Sequence, residues 1–354
     1  MLLNGILPAI TTPFYSDGRL YLKKLEHNAD RLTRGPINGL VVLGSTGEAV
    51  FLTCEEQREV LRTAIAAAAA EKVMVAGCGH ESVQETLAAC EFAAAVGYDV
   101  ALVRTPHYYK AQMSAPAMLN YYRTVADRSP LPVLMYSYPQ CTGYDLPLEL
   151  IAELAQHPNI LGIKESSGDL AKVEKMVQLT REVKREVRVT HEFQPATGRM
   201  MQKAQAAPVG EFVSAGALAA TAQKPSSAAV EVIGELKLRR KEVGFQVLVG
   251  TGQKFYPLLK AGAVGGVLAF AAAAPTACYE IYAAFKDNDH ALAAEKQQRI
   301  TGACQRIVGE LGIAGLKYAC DLNGFAGGNP RLPLLPLTGE QRQEVEALME
   351  DIRS

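Results

Sequence analysis

Residues 160–169 read Ile-Leu-Gly-Ile-Lys-Glu-Ser-Ser-Gly-Asp, a short apolar run that ends on a lysine and opens into a polar loop. Runs of this length and composition are typical of a strand buried on both faces of a parallel sheet. Lys164 would then lie at the carboxyl end of that strand, where burial of its ammonium costs free energy and lowers its pKa. A neutral amine attacks carbonyl carbons, so the stretch predicts either a Schiff-base lysine or, as the ordinary alternative, an exposed lysine at a strand end.

Similar apolar runs recur on both sides of this stretch. They are Ile6–Thr12, Gly39–Leu43, Val73–Gly77, Val100–Val103, Val133–Tyr136, Phe245–Val249 and Gly265–Leu268. Helical patterns separate most of them: Thr53–Glu56 reads as a capping box, and Asp145 reads as the N-cap of a helix that has Pro147 in its first turn. Eight strand–helix units predict an α/β fold, a (β/α)8 TIM barrel. The alternative, a doubly wound sheet, would need a glycine fingerprint after the first strand, and residues 11–14 are not one.

One connection is longer than the others, since about eighty residues separate Lys164 from the next predicted strand. A helix over Ala171–Thr180 accounts for some of them, and the segment at about 185–243 is predicted to be an insertion before the seventh strand. It contains strand-like segments, Val187–Phe193 and Glu211–Ser214, and a basic cluster, Lys237–Lys241, which we interpret as the solvated end of a helix.

This organisation predicts two regions. Residues 1–270 would form the barrel, with the insertion at about 185–243. Residues 271–354 would form extra C-terminal helices, beyond what a barrel needs.

The overall composition argues against a nucleic-acid-binding, membrane-spanning or secreted disulfide-bonded protein. The chain has 354 residues, of which 49% are hydrophobic, and a formal net charge of -1, which argues against nucleic acid or an anionic membrane as a partner. We recognise no signal peptide and no apolar stretch long enough to span a bilayer. The seven cysteines are scattered and odd in number, a pattern typical of free thiols in a reducing compartment. We therefore expect a cytoplasmic protein.

Two more clusters fall at the predicted carboxyl ends of strands, where barrel enzymes have their active sites. Gly44–Glu48 reads Gly-Ser-Thr-Gly-Glu, whose glycines allow close approach and whose hydroxyl and N–H groups suit a carboxylate. Tyr136–Pro139 ends the fifth strand, and a phenol there can transfer protons. The ordinary alternatives are a simple βα turn and a core tyrosine. Together with Lys164, the clusters favour a Schiff-base site for a 2-oxo acid.

The sequence resembles the pyruvate-dependent class I aldolases of the dihydrodipicolinate synthase / N-acetylneuraminate lyase family. The resemblance covers nearly the whole chain except about 185–243, and its joint pattern is specific although each piece alone is weak. The stretches that carry it are Gly5–Phe14, Gly44–Glu48, Thr105–Tyr109, Tyr136–Pro139 with Thr142-Gly143, Gly162–Ser166, Gly250–Gly252 and Gly265–Val267.

The resemblance implies a role for each matching residue. Lys164 would form the imine with the keto carbon of pyruvate, and Tyr136 would transfer protons. Ser45 would connect Tyr136 by hydrogen bonds to Tyr109, or to Tyr108, from a neighbouring subunit. The residues implied to bind the substrate are Thr46, Gly47, Ser166, Gly250 and Val267. The implied partners are pyruvate, an aldehyde and other copies of the chain in a homotetramer, a dimer of dimers; no metal or other cofactor is implied.

Position 141 departs from the family pattern. Dihydrodipicolinate synthases usually carry an arginine there, which holds the carboxylate of the aldehyde substrate, whereas this chain has Cys141. The form Tyr-Ser-x-Pro-x-x-Thr-Gly over residues 136–143 resembles the 4-hydroxy-2-oxoglutarate aldolase branch. We therefore expect cleavage of a 4-hydroxy-2-oxo acid, such as 4-hydroxy-2-oxoglutarate, to pyruvate and an aldehyde.

Several alternatives stay open at this point. The chain could be a dihydrodipicolinate synthase, another pyruvate-dependent lyase or hydratase-aldolase, or a non-catalytic protein that binds a 2-oxo acid. Without an arginine at position 141, a distal carboxylate would need Lys110, Lys254 or a basic residue of the insertion. Otherwise the aldehyde would be neutral or aromatic.

Overall fold

The computed structural model describes residues 1–206 and 230–352, and its centre is a closed barrel of parallel strands. The described strands are, in chain order, β1 Gly5–Pro8, β2 Gly39–Val42, β3 Val73–Gly77, β4 Val100–Arg104, β5 Val133–Ser137, β6 Ile160–Glu165, β7 Arg185–Thr190, β8 Glu231–Ile233, β9 Leu236–Val243, β10 Gln246–Val249 and β11 Gly265–Leu268. All but β7–β9 form one sheet in the order β1-β11-β10-β6-β5-β4-β3-β2. A parallel bridge between Ala9 and Val41 closes this sheet into a ring.

The architecture confirms the predicted TIM barrel. The predicted barrel strands after the first agree with the observed ones to within one residue at each end. The first strand ends at Pro8, whereas the sequence predicted that it continued to Thr12. Pairing still continues past this proline, because Ala9 bridges to Val41 and the Ile10 N–H donates a hydrogen bond to the Val41 carbonyl at 3.1 Å; the loop that carries Thr11 and Thr12 follows.

The alternation of side chains along each strand determines which residues face the barrel interior. Leu134, Tyr136 and Leu248 belong to the cluster of side chains that fills the barrel. Lys164 pairs in register with Tyr136 on one side and with Leu248 on the other. Because successive residues of a strand point to opposite faces, Lys164 shares the inward face, at the carboxyl end of its strand.

Helices surround the barrel. The described α-helices are α1 Leu22–Thr33, α2 Cys54–Ala67, α3 Val83–Ala95, α4 Ala115–Arg128, α5 Pro139–Thr142, α6 Leu148–Leu154, α7 Leu170–Leu179, α8 Gly198–Ala206, α9 Phe255–Lys260, α10 Pro275–Lys286, α11 His290–Ala303, α12 Gly312–Leu322 and α13 Gly339–Met349. The predicted capping box opens α2, with Thr53 and Glu56 bonded reciprocally. The predicted N-cap at Asp145 is wrong: Pro147 precedes α6, because the Asp145 carboxylate is instead paired with the ammonium of Lys172.

The insertion forms a small antiparallel sheet, β7-β9-β8, together with α8. The interpretation of Lys237–Lys241 as a helix end is wrong, because these residues lie in β9. Leu238 is buried in this strand while the charged residues around it pair across the sheet, as Arg240 does with Glu186 at 3.0 Å. The predicted strand at Glu211–Ser214 lies outside the described residues.

The described insertion packs against the amino-terminal end of the barrel. Arg199 donates hydrogen bonds to three carbonyls in the turn before β3, and the Gly198 N–H donates to the Asp99 carboxylate just before β4 at 2.9 Å. Arg185 donates to two carbonyls in the turn before β6. Since all barrel strands run the same way, these contacts place the described insertion at the opposite end from Lys164.

The helices after residue 270 share one continuous hydrophobic core with the barrel and its outer helices. Their presence was predicted, whereas the division of the chain into domains at residue 270 stays a prediction. Within residues 1–206 and 230–352, no helix is both long and apolar enough to cross a membrane.

Candidate active site

A cavity of about 600 Å³ opens at the carboxyl end of the barrel, where Lys164 ends β6. One side is built by the strand ends and the loops that follow them, and the other side by the C-terminal region. The residues that the sequence indicated for the site and that line this cavity are Ser45, Thr46, Tyr136, Lys164, Ser166 and Gly250. The barrel thus brings together residues that are widely separated along the chain.

Lys164 is buried in this cavity, with 4% of the residue exposed, so the alternative of an exposed strand-end lysine is wrong. Its Nζ lies 4.0 Å from the centroid of the Tyr136 ring and has no carboxylate partner among the described residues. Burial lowers the pKa of the Lys164 ammonium to about 7, and the nearby Cys141 thiol opposes this shift. A large fraction of Lys164 is therefore a neutral amine, and so a nucleophile, near neutral pH.

Tyr136 lies beside this amine at the end of β5. Its hydroxyl is 3.3 Å from Oγ of Ser45, and its ring stacks on Tyr138 with centroids 5.9 Å apart. Burial raises the pKa of the Tyr136 phenol well above its usual range, and the hydrogen bond with Ser45 offsets part of that shift. The phenol is thus protonated at neutral pH, and a protonated phenol beside a buried amine can act as a proton donor.

The turn Ser45–Gly47 follows β2. We call it the carboxylate turn, because the sequence predicts that it holds a substrate carboxylate. Contacts on its side away from the cavity hold it in position. Oγ1 of Thr12 donates a hydrogen bond to the Gly47 carbonyl at 2.7 Å. Glu48, which ends the turn in a left-handed conformation with φ 55°, is buried and accepts a hydrogen bond from the Arg331 N–H at 2.7 Å. Its other carboxylate oxygen lies 2.5 Å from Nζ of Lys317 in α12. The C-terminal region therefore holds this turn in place.

Lys317 is a second buried lysine, and it differs from Lys164 in its partners. Burial lowers its pKa while Glu48 raises it, and its ammonium also donates to the Asn329 carbonyl at 2.9 Å. An ammonium with a carboxylate and a carbonyl beside it is held as a cation. No local sequence pattern indicates this residue, because its partner is distant along the chain.

Ser166 and Gly250 meet across the ends of β6 and β10. A Cβ atom at Gly250 would lie 1.8 Å from Oγ of Ser166, so only glycine leaves room for that hydroxyl. The hydroxyl is buried beside the Tyr136 phenol and forms no hydrogen bond of regular geometry with the described residues. Because Ser166 lines the cavity, an oxygen of a bound ligand can accept a hydrogen bond from its hydroxyl.

Three predicted site residues do not line this cavity. Gly47 is buried in the carboxylate turn, Val267 is buried inside the barrel, and Tyr109 is 60% exposed on the loop after β4. The rings of Tyr108 and Tyr109 meet edge to face with centroids 5.1 Å apart. The cross-subunit role of Tyr109 stays a prediction.

The loop that carries these tyrosines is anchored by Glu81. The Glu81 carboxylate accepts hydrogen bonds from the N–H groups of His107 and Tyr108 at 2.9 and 3.0 Å, and from Arg104 at 2.8 Å. Tyr108 lines a second recess of about 310 Å³, which also borders Ser45. Glu81 was not predicted from the sequence, because no local pattern connects it to the tyrosines.

The other side of the main cavity was also missed. It is apolar, and we call it the apolar wall; its residues are Phe270, Val308, Leu311, Ile313, Leu316, Leu334 and Leu335. Neither Lys110 nor Lys254 lines the cavity, and Nζ of Lys254 donates to the Gly168 carbonyl at 3.3 Å. The described part of the insertion lies at the far end of the barrel, so it contributes no cation here either.

A family comparison agrees with this arrangement. The model of the dihydrodipicolinate synthetase family matches residues 2–189 and 222–352 of the chain. The chain belongs to this family. The family resemblance seen in the motifs is thereby confirmed, and with it the enzyme class, a pyruvate-dependent class I aldolase or lyase.

Individual members of the dihydrodipicolinate synthetase family extend the comparison. A 4-hydroxy-tetrahydrodipicolinate synthase of Methanothrix thermoacetophila is 28% identical over 349 residues, 99% of this chain and 95% of that protein. One of Methanoculleus marisnigri is 38% identical over 181 residues, 51% of this chain and 61% of that protein. The crystal structure of a chloride-inhibited dihydrodipicolinate synthase from Acinetobacter baumannii, complexed with pyruvate, has a TM-score of 0.76 at 25% identity and covers 99% of each chain. These names support the synthase alternative better than the 4-hydroxy-2-oxoglutarate aldolase branch.

Proposed function

We propose that this protein is a Schiff-base lyase that uses Lys164 to cleave a 4-hydroxy-2-oxo acid to pyruvate and an aldehyde, or to join them. The observation that carries the proposal is a buried amine with no carboxylate partner among the described residues, 4.0 Å from the ring of a buried tyrosine. The pyruvate complex of the Acinetobacter baumannii relative supports pyruvate as the common product or substrate.

The first half of the reaction makes the imine. The neutral amine of Lys164 attacks C2 of the 2-oxo acid and gives a carbinolamine. Tyr136 donates a proton to the departing hydroxyl, water leaves, and a protonated imine remains. The substrate carboxylate would lie between the carboxylate turn and the hydroxyl of Ser166, where N–H and O–H donors are available.

The second half breaks the carbon–carbon bond. The 4-hydroxyl loses its proton to the Tyr136 oxygen, the C3–C4 bond breaks, and its electron pair moves toward the imine nitrogen to give an enamine. The aldehyde leaves, C3 takes up a proton, and water releases pyruvate and restores the amine. Ser45, which is 3.3 Å from the Tyr136 hydroxyl, keeps that hydroxyl oriented through both transfers.

A second candidate is 4-hydroxy-tetrahydrodipicolinate synthase. The names of the relatives favour it, while the exposed thiol of Cys141, where these synthases usually carry an arginine, favours 4-hydroxy-2-oxo acid cleavage. A hydratase-aldolase would share the imine and differ in its products. Product analysis by NMR after incubation with pyruvate and a carboxylate-bearing aldehyde, and separately with 4-hydroxy-2-oxoglutarate, distinguishes these activities.

Borohydride trapping tests the shared step. The protein is incubated with pyruvate and borohydride, its intact mass is measured, and the adduct is located by peptide mapping. We expect one reduced adduct on Lys164, and the same adduct in a Lys254→Met control, since Lys254 does not line the cavity. No adduct, or an adduct on another lysine, would contradict the proposal.

A further inference from the structure

The apolar wall comes from parts of the chain that the imine chemistry does not use. Val308 lies in the π-helical segment Cys304–Glu310. Leu311 is the N-cap of α12, and Leu316 lies within that helix. Leu334 and Leu335 lie in the loop before α13. Phe270 and Leu316 are 1% exposed, whereas Leu335 is 74% exposed. The wall therefore runs from the interior of the cavity to its rim.

Charge is scarce in this cavity. Among the described residues that line it, Lys164 alone carries a charged side chain, and imine formation uses that nitrogen. Two nearby cations are held by carboxylates: Lys172 pairs with Asp145 and Glu165, and Lys317 pairs with Glu48. The ammonium of Lys110 lies beside Gly143 and does not line the cavity. A carboxylate on the far end of a substrate would lose its water against this wall and would gain no counter-ion from the wall itself.

The described hydroxyl and amide side chains that line the cavity are on the barrel side. Gln140, Thr251 and Gln253 lie among the cavity-lining residues there and could bind a hydroxyl or a carbonyl, but an amide does not neutralise a carboxylate. A cavity of about 600 Å³ leaves room beyond a three-carbon pyruvate unit.

From this geometry, and resting on the proposed function, we infer that the aldehyde half of the substrate is uncharged with an apolar body, aliphatic or aryl, and packs on the apolar wall. The wall would then select the substrate by burial of apolar surface, and it would reject a distal carboxylate by the cost of leaving that charge unpaired. Pyruvate itself would be held only by the barrel side.

A substrate panel tests the inference directly. The compounds are 4-hydroxy-2-oxo acids that differ only in the group on C4: methyl, propyl, phenyl, a carboxylate, or a dihydroxyethyl group. The measurement is kcat/KM for pyruvate release. We expect the propyl or phenyl compound to exceed the carboxylate compound by roughly tenfold or more, the size that apolar pockets reach. A preference for the carboxylate or dihydroxyethyl compound would overturn the inference.

A matched pair of variants locates the selectivity. Leu335 and Leu332 are both 74% exposed in the same loop, but only Leu335 is a wall residue. Leu335→Lys should shift the ratio of kcat/KM values toward the carboxylate compound by about threefold or more, the effect of one partly exposed ion pair. Leu332→Lys should leave the ratio unchanged. Equal shifts in both variants, or none in Leu335→Lys, would overturn the assignment of the wall.

Borohydride trapping with pyruvate distinguishes a failure of the substrate preference from a failure of the proposed imine chemistry. If wild type and both variants form the Lys164 adduct while selectivity favours the carboxylate compound, the inference fails and the proposed function stands. If wild type forms no adduct, both fail. An adduct in all three proteins, with the expected selectivity, supports both.

Discussion

The two sides of the cavity differ in chemistry and in origin. The barrel side is polar, and its reactive groups lie at the ends of β5 and β6 and in the carboxylate turn. The apolar wall carries no charged or hydroxyl group and is formed by residues 270–335. The difference teaches that one cavity can combine polar groups at strand ends with an apolar surface from helices outside the strand–helix repeat, so the two halves of a substrate can be tested separately.

The largest expected effect is on the barrel side. Lys164→Ala should abolish turnover and borohydride trapping, because it removes the nucleophile. Thermal unfolding should change little, since Lys164 forms no ion pair among the described residues. Turnover close to wild type in this variant would place the chemistry elsewhere and would remove the basis of the comparison.

Tyr136→Phe should lower kcat by about two to four orders of magnitude, the usual contribution of positioned acid–base groups. The ring and its packing on Lys164 stay, so only the hydroxyl next to Ser45 is lost. Single-turnover trapping should be slower but should reach the same final amount of adduct. A variant with the wild-type kcat would show that another group transfers the proton.

Glu48→Gln tests whether the C-terminal region supports the barrel side. The change leaves the Lys317 ammonium buried without its carboxylate, which costs about 3–5 kcal/mol in similar pairs. The free energy of unfolding should fall by about that amount, and the KM for pyruvate should rise as the carboxylate turn loosens. Adding Lys317→Met should restore much of the stability; Asp30→Asn, which breaks the exposed pair with Arg34, should cost less than about 1 kcal/mol.

The pH dependence follows from the pKa of Lys164, which burial lowers to about 7. The neutral amine is the reactive form, so the rate of imine trapping should rise with pH, by roughly tenfold between pH 6 and pH 8, and then level off. Initial trapping rates at constant ionic strength give this profile. A rate that keeps rising up to pH 10 would mean that Lys164 titrates like an exposed lysine.

Cys141→Arg should have the smallest effect. Cys141 is exposed at the cavity, so a guanidinium there would stay partly hydrated and would gain about 0.2–1 kcal/mol with a carboxylate. We expect the kcat/KM ratio of the carboxylate to the propyl compound to rise by about 1.4- to fivefold. No rise in a folded variant would indicate that the far end of the substrate does not reach position 141.

The barrel side could be predicted from sequence because its signals are local. A buried strand is a continuous apolar run, which can be recognised locally. Tyr136 and Lys164 pair in register on neighbouring strands, so the alternation of side chains places both on the same face. The apolar wall could not be predicted in this way. The residues after 269 indicate helices with buried faces, but a hydrophobic pattern does not say whether Leu316 or Leu334 faces the core or a cavity.

The errors have a similar physical origin. The basic residues 237–241 suit an exposed helix as well as an exposed strand, and the alternation around Leu238 spans too few residues to decide. Asp145 has the chemistry of an N-cap, but Lys172, which is distant along the chain, pairs with its carboxylate. The pairing of Glu48 with Lys317 likewise depends on the completed fold and has no local pattern.

That last pair also bears on the order in which the enzyme becomes competent during synthesis. Glu48 leaves the ribosome long before Lys317 and Arg331, and domains generally fold from the amino terminus as they emerge. Until α12 arrives, the Glu48 carboxylate must stay hydrated, because burying it alone is too costly. We therefore expect the turn at residues 45–47 to reach its final shape only after α12 is in place, so that a chain truncated before Lys317 would lack the contacts that fix it.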